Sequence, residues 1–94
     1  MYNYVMLMGK LEGMRAESKD YHEIDLAVQR TFVEPDGRRV TDHFTIQVPN
    51  YIAEIIKDSD ILVKNKTVSV KGRLIPVMVG TSAMIIAERV MWGE

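Results

Sequence analysis

Five side chains stand out for the charge they could bring to one surface. Lys10, Lys71 and Arg73 take outward positions on strand-like segments, and Arg38 and Arg39 follow a turn signal. Cations so placed can neutralise phosphate groups, in contacts that weaken as salt rises. Other chemistry finds less support. The chain has no cysteine, which removes thiol nucleophiles, disulfides and thiolate metal sites. His22 and His43 lie on strands with acidic neighbours, but on opposite parities, and do not make a metal site. Neither a glycine-rich phosphate loop nor a nucleophile motif is present. The expectation is a protein without enzymatic activity, cofactor or metal ion.

Composition bounds the rest. Ninety-four residues, 47% hydrophobic and 27% charged, fit one globular domain spanning 1–94, near the small end of what folds unaided. A net charge of -1 argues against a strongly basic binder of polyanions. The charge is uneven, however. Residues 1–60 hold seven basic and eleven acidic side chains, and residues 61–94 hold five basic against two acidic. The start lacks a basic region followed by an apolar run, and no stretch approaches the ~20 apolar residues of a membrane span. A soluble cytoplasmic protein is therefore expected. Seven methionines are many for this length, and they read as packing residues, in part at subunit contacts.

The elements that must position these groups are mostly strands. Residues 3–11 alternate, with Val5, Leu7, Gly9 and Leu11 on one face and Tyr4, Met6, Met8 and Lys10 on the other. Both faces are largely apolar, so a partner subunit is expected to cover the second. Gly9 suggests a bulge or a sharp coil. Residues 12–20 read as a loop. Residues 21–33 and 40–48 then alternate around Glu34-Pro35-Asp36-Gly37, a strong turn signal, and so form a hairpin. His22, Ile24, Leu26 and Val28 face one way, as do Phe44, Ile46 and Val48; His43, Thr45 and Gln47 face the other. Pro49 ends the strand, and Asn50 can cap a helix running to about Leu62 or Val63, with Ile52, Ile55 and Ile56 as its apolar stripe. Asn65 can take the left-handed conformation beyond it. Thr67–Leu74 and Ala83–Met91 are the last strands. Tyr4 and Trp92 read as core or interface rings.

Three strands, a helix and two strands is the order of an all-β, five-stranded Greek-key barrel with one helix between strands 3 and 4, the OB-fold. Another small barrel, or an α+β sandwich with the helix on one face, fits the same pattern.

Five short motifs, in order, carry a resemblance. Asn3-Tyr4-Val5-Met6-Leu7-Met8-Gly9-Lys10-Leu11 resembles the opening strand N-x-V-x-L-x-G-x-L of the bacterial single-stranded-DNA-binding (SSB) proteins. Ile24-Asp25-Leu26-Ala27-Val28-Gln29-Arg30-Thr31-Phe32 resembles that family's F-x-L-A-V-x-R-x-[FW]. Asp36-Gly37 with Thr41-Asp42 resembles its hairpin, Ala53-Glu54 its L-A-E, and Val68–Leu74 its V-x-V-x-G-R-L. The resemblance implies an OB-fold that binds single-stranded DNA, as a homodimer or homotetramer, with no membrane involved. By position it implies stacking by Phe32 and a basic contact by Arg30. His43 stands where the family has a stacking aromatic, and Tyr51 could restore a ring near the start of the helix. With Lys10, Arg38, Arg39, Lys71 and Arg73, these residues make up the expected DNA-binding set. The sequence departs from the family at His43, at Pro49-Asn50-Tyr51, and in a last hairpin cut to about residues 75–82. The family's acidic-tipped tail has no counterpart in residues 1–94. These losses keep a second expectation open: an SSB-like or primosomal-type module that acts mainly in protein assembly and binds nucleic acid weakly.

Overall fold

A computed structural model describes residues 1–77 and 83–93. Its elements are β1 (Val5–Ala16), β2 (Tyr21–Gln29), β3 (Thr41–Pro49), α1 (Asn50–Lys57), β4 (Thr67–Pro76) and β5 (Ala83–Met91). The strands close into a barrel in the order β1-β2-β3-β5-β4, with β4 returning to β1. All neighbours are antiparallel except β3 and β5, which share two parallel pairs, Ile46 with Ile85 and Gln47 with Ile86. This is the five-stranded OB-fold expected from the order of elements.

Alternation places the core. Ile24 and Leu26 from β2, Ile46 and Val48 from β3, and Val68 and Val70 from β4 are at most 1% exposed and face inward with Leu11 and Ala87. Burying a side chain of this size contributes about 1.5–3 kcal/mol, so these positions decide the register of every strand.

Closure depends on β1 serving two neighbours. Its first half, Val5–Lys10, pairs with β4, and its second half, from Lys10 onward, pairs with β2. Gly9 sits at the crossing. A Cβ there would run into the backbone carbonyl of Ala27, so the expected irregularity at this glycine is a close approach of strands. The bulge itself falls two residues later, between Leu11 and Gly13, with Glu12 as the extra residue. Past it β1 continues to Ala16, through residues expected to form a loop. The reason is local: the bulge breaks the alternation while Met14, still paired with Ile24, packs on the core. Gly72 repeats the device on β4, where a Cβ would meet the carbonyl of Ile86, beside a bulge that leaves Glu88 unpaired in β5.

The helix is shorter than the sequence suggests. It ends at Lys57, where Ser59 Oγ donates to the Ile56 carbonyl at 2.7 Å. Asn50 is its first residue rather than its cap; Pro49 precedes it in an extended conformation. The Asn50 side chain instead accepts from His22 Nδ1 at 2.9 Å and donates to the Lys19 carbonyl at 2.6 Å, tying the helix start to β2 and the loop before it. Ile52, Ala53 and Ile56 are buried and Ile55 is exposed, because the stripe is centred between Ile56 and Ala53. After the helix, turns carry buried Ile61 to Asn65, which has a positive φ of 49° as expected. Glu34–Gly37 forms its turn, with Gly37 at φ 87°. Part of the last hairpin, residues 78–82, lies outside the described residues.

Gly9→Ala and Gly72→Ala are each expected to destabilise the barrel by about 1–3 kcal/mol, the range of an overpacked core. Gly93→Ala, with open space around it, serves as the control. Urea-unfolding midpoints measure all three, and a Gly9→Ala midpoint matching the control would refute the close-approach account.

Candidate nucleic-acid interface

The outer face of the barrel divides by charge. At the far end of β1 and on β2, Arg15 sits among carboxylates, with Nη1 2.7 Å from Asp25, Nε 3.1 Å from Glu17 and Nη2 3.3 Å from Glu23. Burial, and next the nearby Glu17 carboxylate, push the Glu23 carboxyl above its usual range. Thr45 Oγ1 donates to Asp25 at 3.1 Å, and His43 Nδ1 donates to the bulge residue Glu12 at 2.9 Å. His43 is exposed, as a stacking ring must be, but it faces the acidic end.

The opposite end is cationic. Across β1, β4 and β5 the outward residues form rows: Met8 with Ser69 and Met91, then Met6 with Lys71 and Arg89. Arg73 follows on β4, paired with Ile86. Among the described residues no carboxylate lies within ion-pair distance of Lys10, Lys71, Arg73 or Arg89. Lys71 Nζ stands 5.4 Å from the centre of the Tyr4 ring. Tyr4 is 57% exposed, a surface ring beside a cation rather than a core ring, whereas Trp92 packs against the core. Lys10, Lys71 and Arg73 are thus brought together on one face. Arg89 joins them; its position opposite Lys71 only becomes visible once the Glu88 bulge is known.

The β2–β3 hairpin positions four more of the expected residues. β2 ends at Gln29, although the Arg30 amide still donates to the Val40 carbonyl at 2.9 Å. Beyond that point strand parity no longer applies, and Phe32 emerges 59% exposed. Arg30 is held firmly. Its Nε and Nη2 reach the two carboxylate oxygens of Asp42 at 2.9 and 3.1 Å, and Nη1 reaches Glu34 at 3.3 Å. The guanidinium lies 5.9 Å from the centre of the Phe32 ring. Two carboxylates therefore offset the charge of Arg30, and its geometry suits orienting Phe32 better than meeting a phosphate. Arg38 is paired with Asp36 at 2.8 Å, and Arg39 donates to the Arg30 carbonyl at 3.3 Å. Tyr51 is exposed on α1, away from the cationic rows.

Between the two ends lies a groove of about 480 Å³, bordered by Met8, Gly9 and Lys10 of β1, Ala27 and Gln29 of β2, and Thr41 of β3. In the sequence Met8 reads as a packing residue and Ala27 carries no site motif. The available signal was a small residue inside an otherwise polar outward row. Among the described residues, no three histidine, cysteine or acidic side chains are grouped to hold a metal ion, and no helix is long and apolar enough to cross a membrane.

Arg30 holds the Asp42 carboxyl below the usual aspartate range, chiefly by hydrogen bonding. A depressed folded value stabilises the fold above the unfolded pKa of about 3.9 and is lost as pH falls through the lower folded value. Asp42→Asn is therefore expected to lower the melting temperature near neutral pH, with the gap to the parent closing below about pH 4. A gap that persists unchanged into acid would show that the pair does not contribute in this way.

No family model matches the sequence, and no curated protein sequence does. Solved structures do match. The chain is similar to a small single-stranded DNA binding protein from Mycoplasma pneumoniae, with a TM-score of 0.69 and 23% identity over 97% of this chain and 86% of that one. It is also similar to a Plasmodium falciparum SSB in complex with ssDNA, with a TM-score of 0.66 and 22% identity over 92% and 86% of the two chains. A third is the dimeric N-terminal domain of PriB from Thermoanaerobacter tencongensis, with a TM-score of 0.56 and 15% identity over 95% and 93%. Barrel order, helix position and these likenesses agree: by fold, this chain is an OB barrel like those of the proteins it matches.

Proposed function

We propose that this chain binds single-stranded DNA with little sequence preference, as a non-enzymatic module serving replication, recombination or repair. The observation that carries the reading is the cationic face: Lys10, Lys71 and Arg73 lack a carboxylate partner among the described residues, and exposed Tyr4 lies beside Lys71. Phe32, braced by Arg30, offers a second ring. Cations neutralise phosphates, and flat rings stack on bases whatever their identity. The ordered motifs and the fold likeness to single-stranded-DNA-binding proteins support the same reading. Its working form is a homodimer or homotetramer, because Met6, Met8 and Met84 are 47%, 64% and 37% exposed on strand faces that water would leave unfavourably bare.

A second reading draws on the same surface. Met6, Met91 and Ile86 alternate with the cations, so a module working mainly in protein assembly would cover this face with a protein partner.

Fluorescence anisotropy with oligo-dT, duplex DNA and RNA at two salt concentrations separates the two. The expected result is binding to oligo-dT that weakens with salt; no measurable affinity at low salt would overturn the DNA reading in favour of assembly. Phe32→Ala is expected to weaken oligo-dT binding by about 1–3 kcal/mol if the ring stacks, and unchanged affinity would remove it from the site. Light scattering that finds a monomer at tens of micromolar would overturn the oligomer.

A further inference from the structure

We propose that Asp42 and Glu34 are positioning residues for the Phe32 ring. They hold the Arg30 guanidinium between them, and Arg30 in turn fixes the loop that presents the ring. The inference rests on the single-stranded-DNA reading, in which Phe32 stacks, and adds the device that sets the ring.

Parity places the device. Arg30 follows Val28 by two residues, and Asp42 precedes Phe44 by two. Val28 and Phe44 pack on the core, and Val28 is paired with Asp42 across β2–β3. Arg30 and Asp42 therefore continue the inward rows to the rim of the barrel, rather than the outward row of Gln29 and Thr41. There all three guanidinium nitrogens donate to carboxylates, Nε and Nη2 to Asp42 and Nη1 to Glu34. A phosphate would have to displace a bidentate partner to reach this fork.

The pair with Glu34 closes a loop. Residues 31–33 run between Arg30 and Glu34, and Phe32 is the middle one. Both ends of the loop are tied to the returning arm of the hairpin. The Arg30 amide donates to the Val40 carbonyl and the Glu34 amide to the Arg38 carbonyl, while Arg39 donates to the Arg30 carbonyl. Asp42 anchors the closure to β3. The guanidinium then stands 5.9 Å from the ring centre, within reach of a cation–π contact. An exposed ring that is free to turn loses that freedom when it stacks; a ring already fixed loses less and binds a base more tightly. Asp42, Glu34 and Arg30 thus strengthen binding without touching the strand.

A double-mutant cycle separates positioning from contact. Asp42→Asn is expected to weaken oligo-dT binding about three- to tenfold, with the salt slope unchanged. In a Phe32→Ala background the same substitution is expected to change nothing further, because its effect runs through the ring. Asp42→Glu, which keeps the carboxylate, is expected to restore most of the affinity. Thermal melting monitors folding, and Glu34→Gln takes the place of Asp42→Asn if that variant does not fold. Fluorine NMR of protein labelled with 4-fluorophenylalanine reads the ring directly, since the chain has two phenylalanines and the Phe32 signal is the one lost in Phe32→Ala. Without DNA, that signal is expected to move toward the position of the free amino acid in Asp42→Asn; an unmoved signal would overturn the proposal. Tighter oligo-dT binding by Asp42→Asn, with a salt slope steeper by about one, would also overturn it, by making Arg30 a phosphate contact held in check. If the parent binds and the two losses add, the positioning role alone falls. If the parent binds no single strand, the function itself falls and this role with it.

Discussion

The barrel depends on one strand changing partners. β1 runs beside β4 up to Lys10 and beside β2 from Lys10 onward, so Lys10 pairs with Thr67 on one side and Ala27 on the other. A strand can turn that sharply only where its backbone comes almost into contact with its neighbour, and Gly9 against the Ala27 carbonyl is that point. The missing side chain is on the inner side, where a Cβ would also stand 3.0 Å from a Val28 methyl. On the outer side the small side chain of Ala27 keeps the crossing low, and the cation nearest to it, Lys10, stands at the border of the groove.

Charge is sorted along the same strand. Past the bulge, β1 carries Arg15 into a set of three carboxylates, and Glu12 takes the exposed His43. Before the bulge, its outward residues are Tyr4, Met6, Met8 and Lys10, next to the cations of β4 and β5. An overall charge of -1 therefore hides two surfaces of opposite character. Acidic residues that would repel a phosphate chain are concentrated at one end, where they satisfy one another's partners, while the lysines and arginines of the other end remain available. Affinity built this way rests on a few local cations together with rings, not on a long basic track.

Much of the fold could be read from alternation. The inward sets of β2 and β3, the Glu34–Gly37 turn, and the bounds of β5 at Ala83 and Met91 all follow from period-two patterning and turn chemistry. Reading failed where that period is interrupted. Residues 12–16 resemble a loop because the bulge puts two residues opposite one. The helix was overextended because Ile61 continues an apolar pattern while the chain has already turned. The candidate site was legible as a set of residue types, but not in its pairings. Nothing local indicates that Arg30 is clasped by Asp42, twelve positions away, or that His43 meets Glu12 across the sheet. Phe32 gains its exposure from where β2 stops, which the resemblance could not state.

The two bulges behave like frameshifts in the inside–outside code of the barrel. Leu11 and Met14 both point inward although they are three positions apart, and the same interval separates Ala87 from Val90. Each glutamate at a bulge, Glu12 or Glu88, is a spare letter that the bulge absorbs. Removing either one would leave a regular ladder with the same faces inward, Leu11 and Met14 in β1 and Ala87 and Val90 in β5, and with Arg15 and Arg89 still outward. Chain length is therefore elastic by one residue at these two points, whereas a single deletion elsewhere in the regular ladder of β1 or β5 would turn the residues beyond it over.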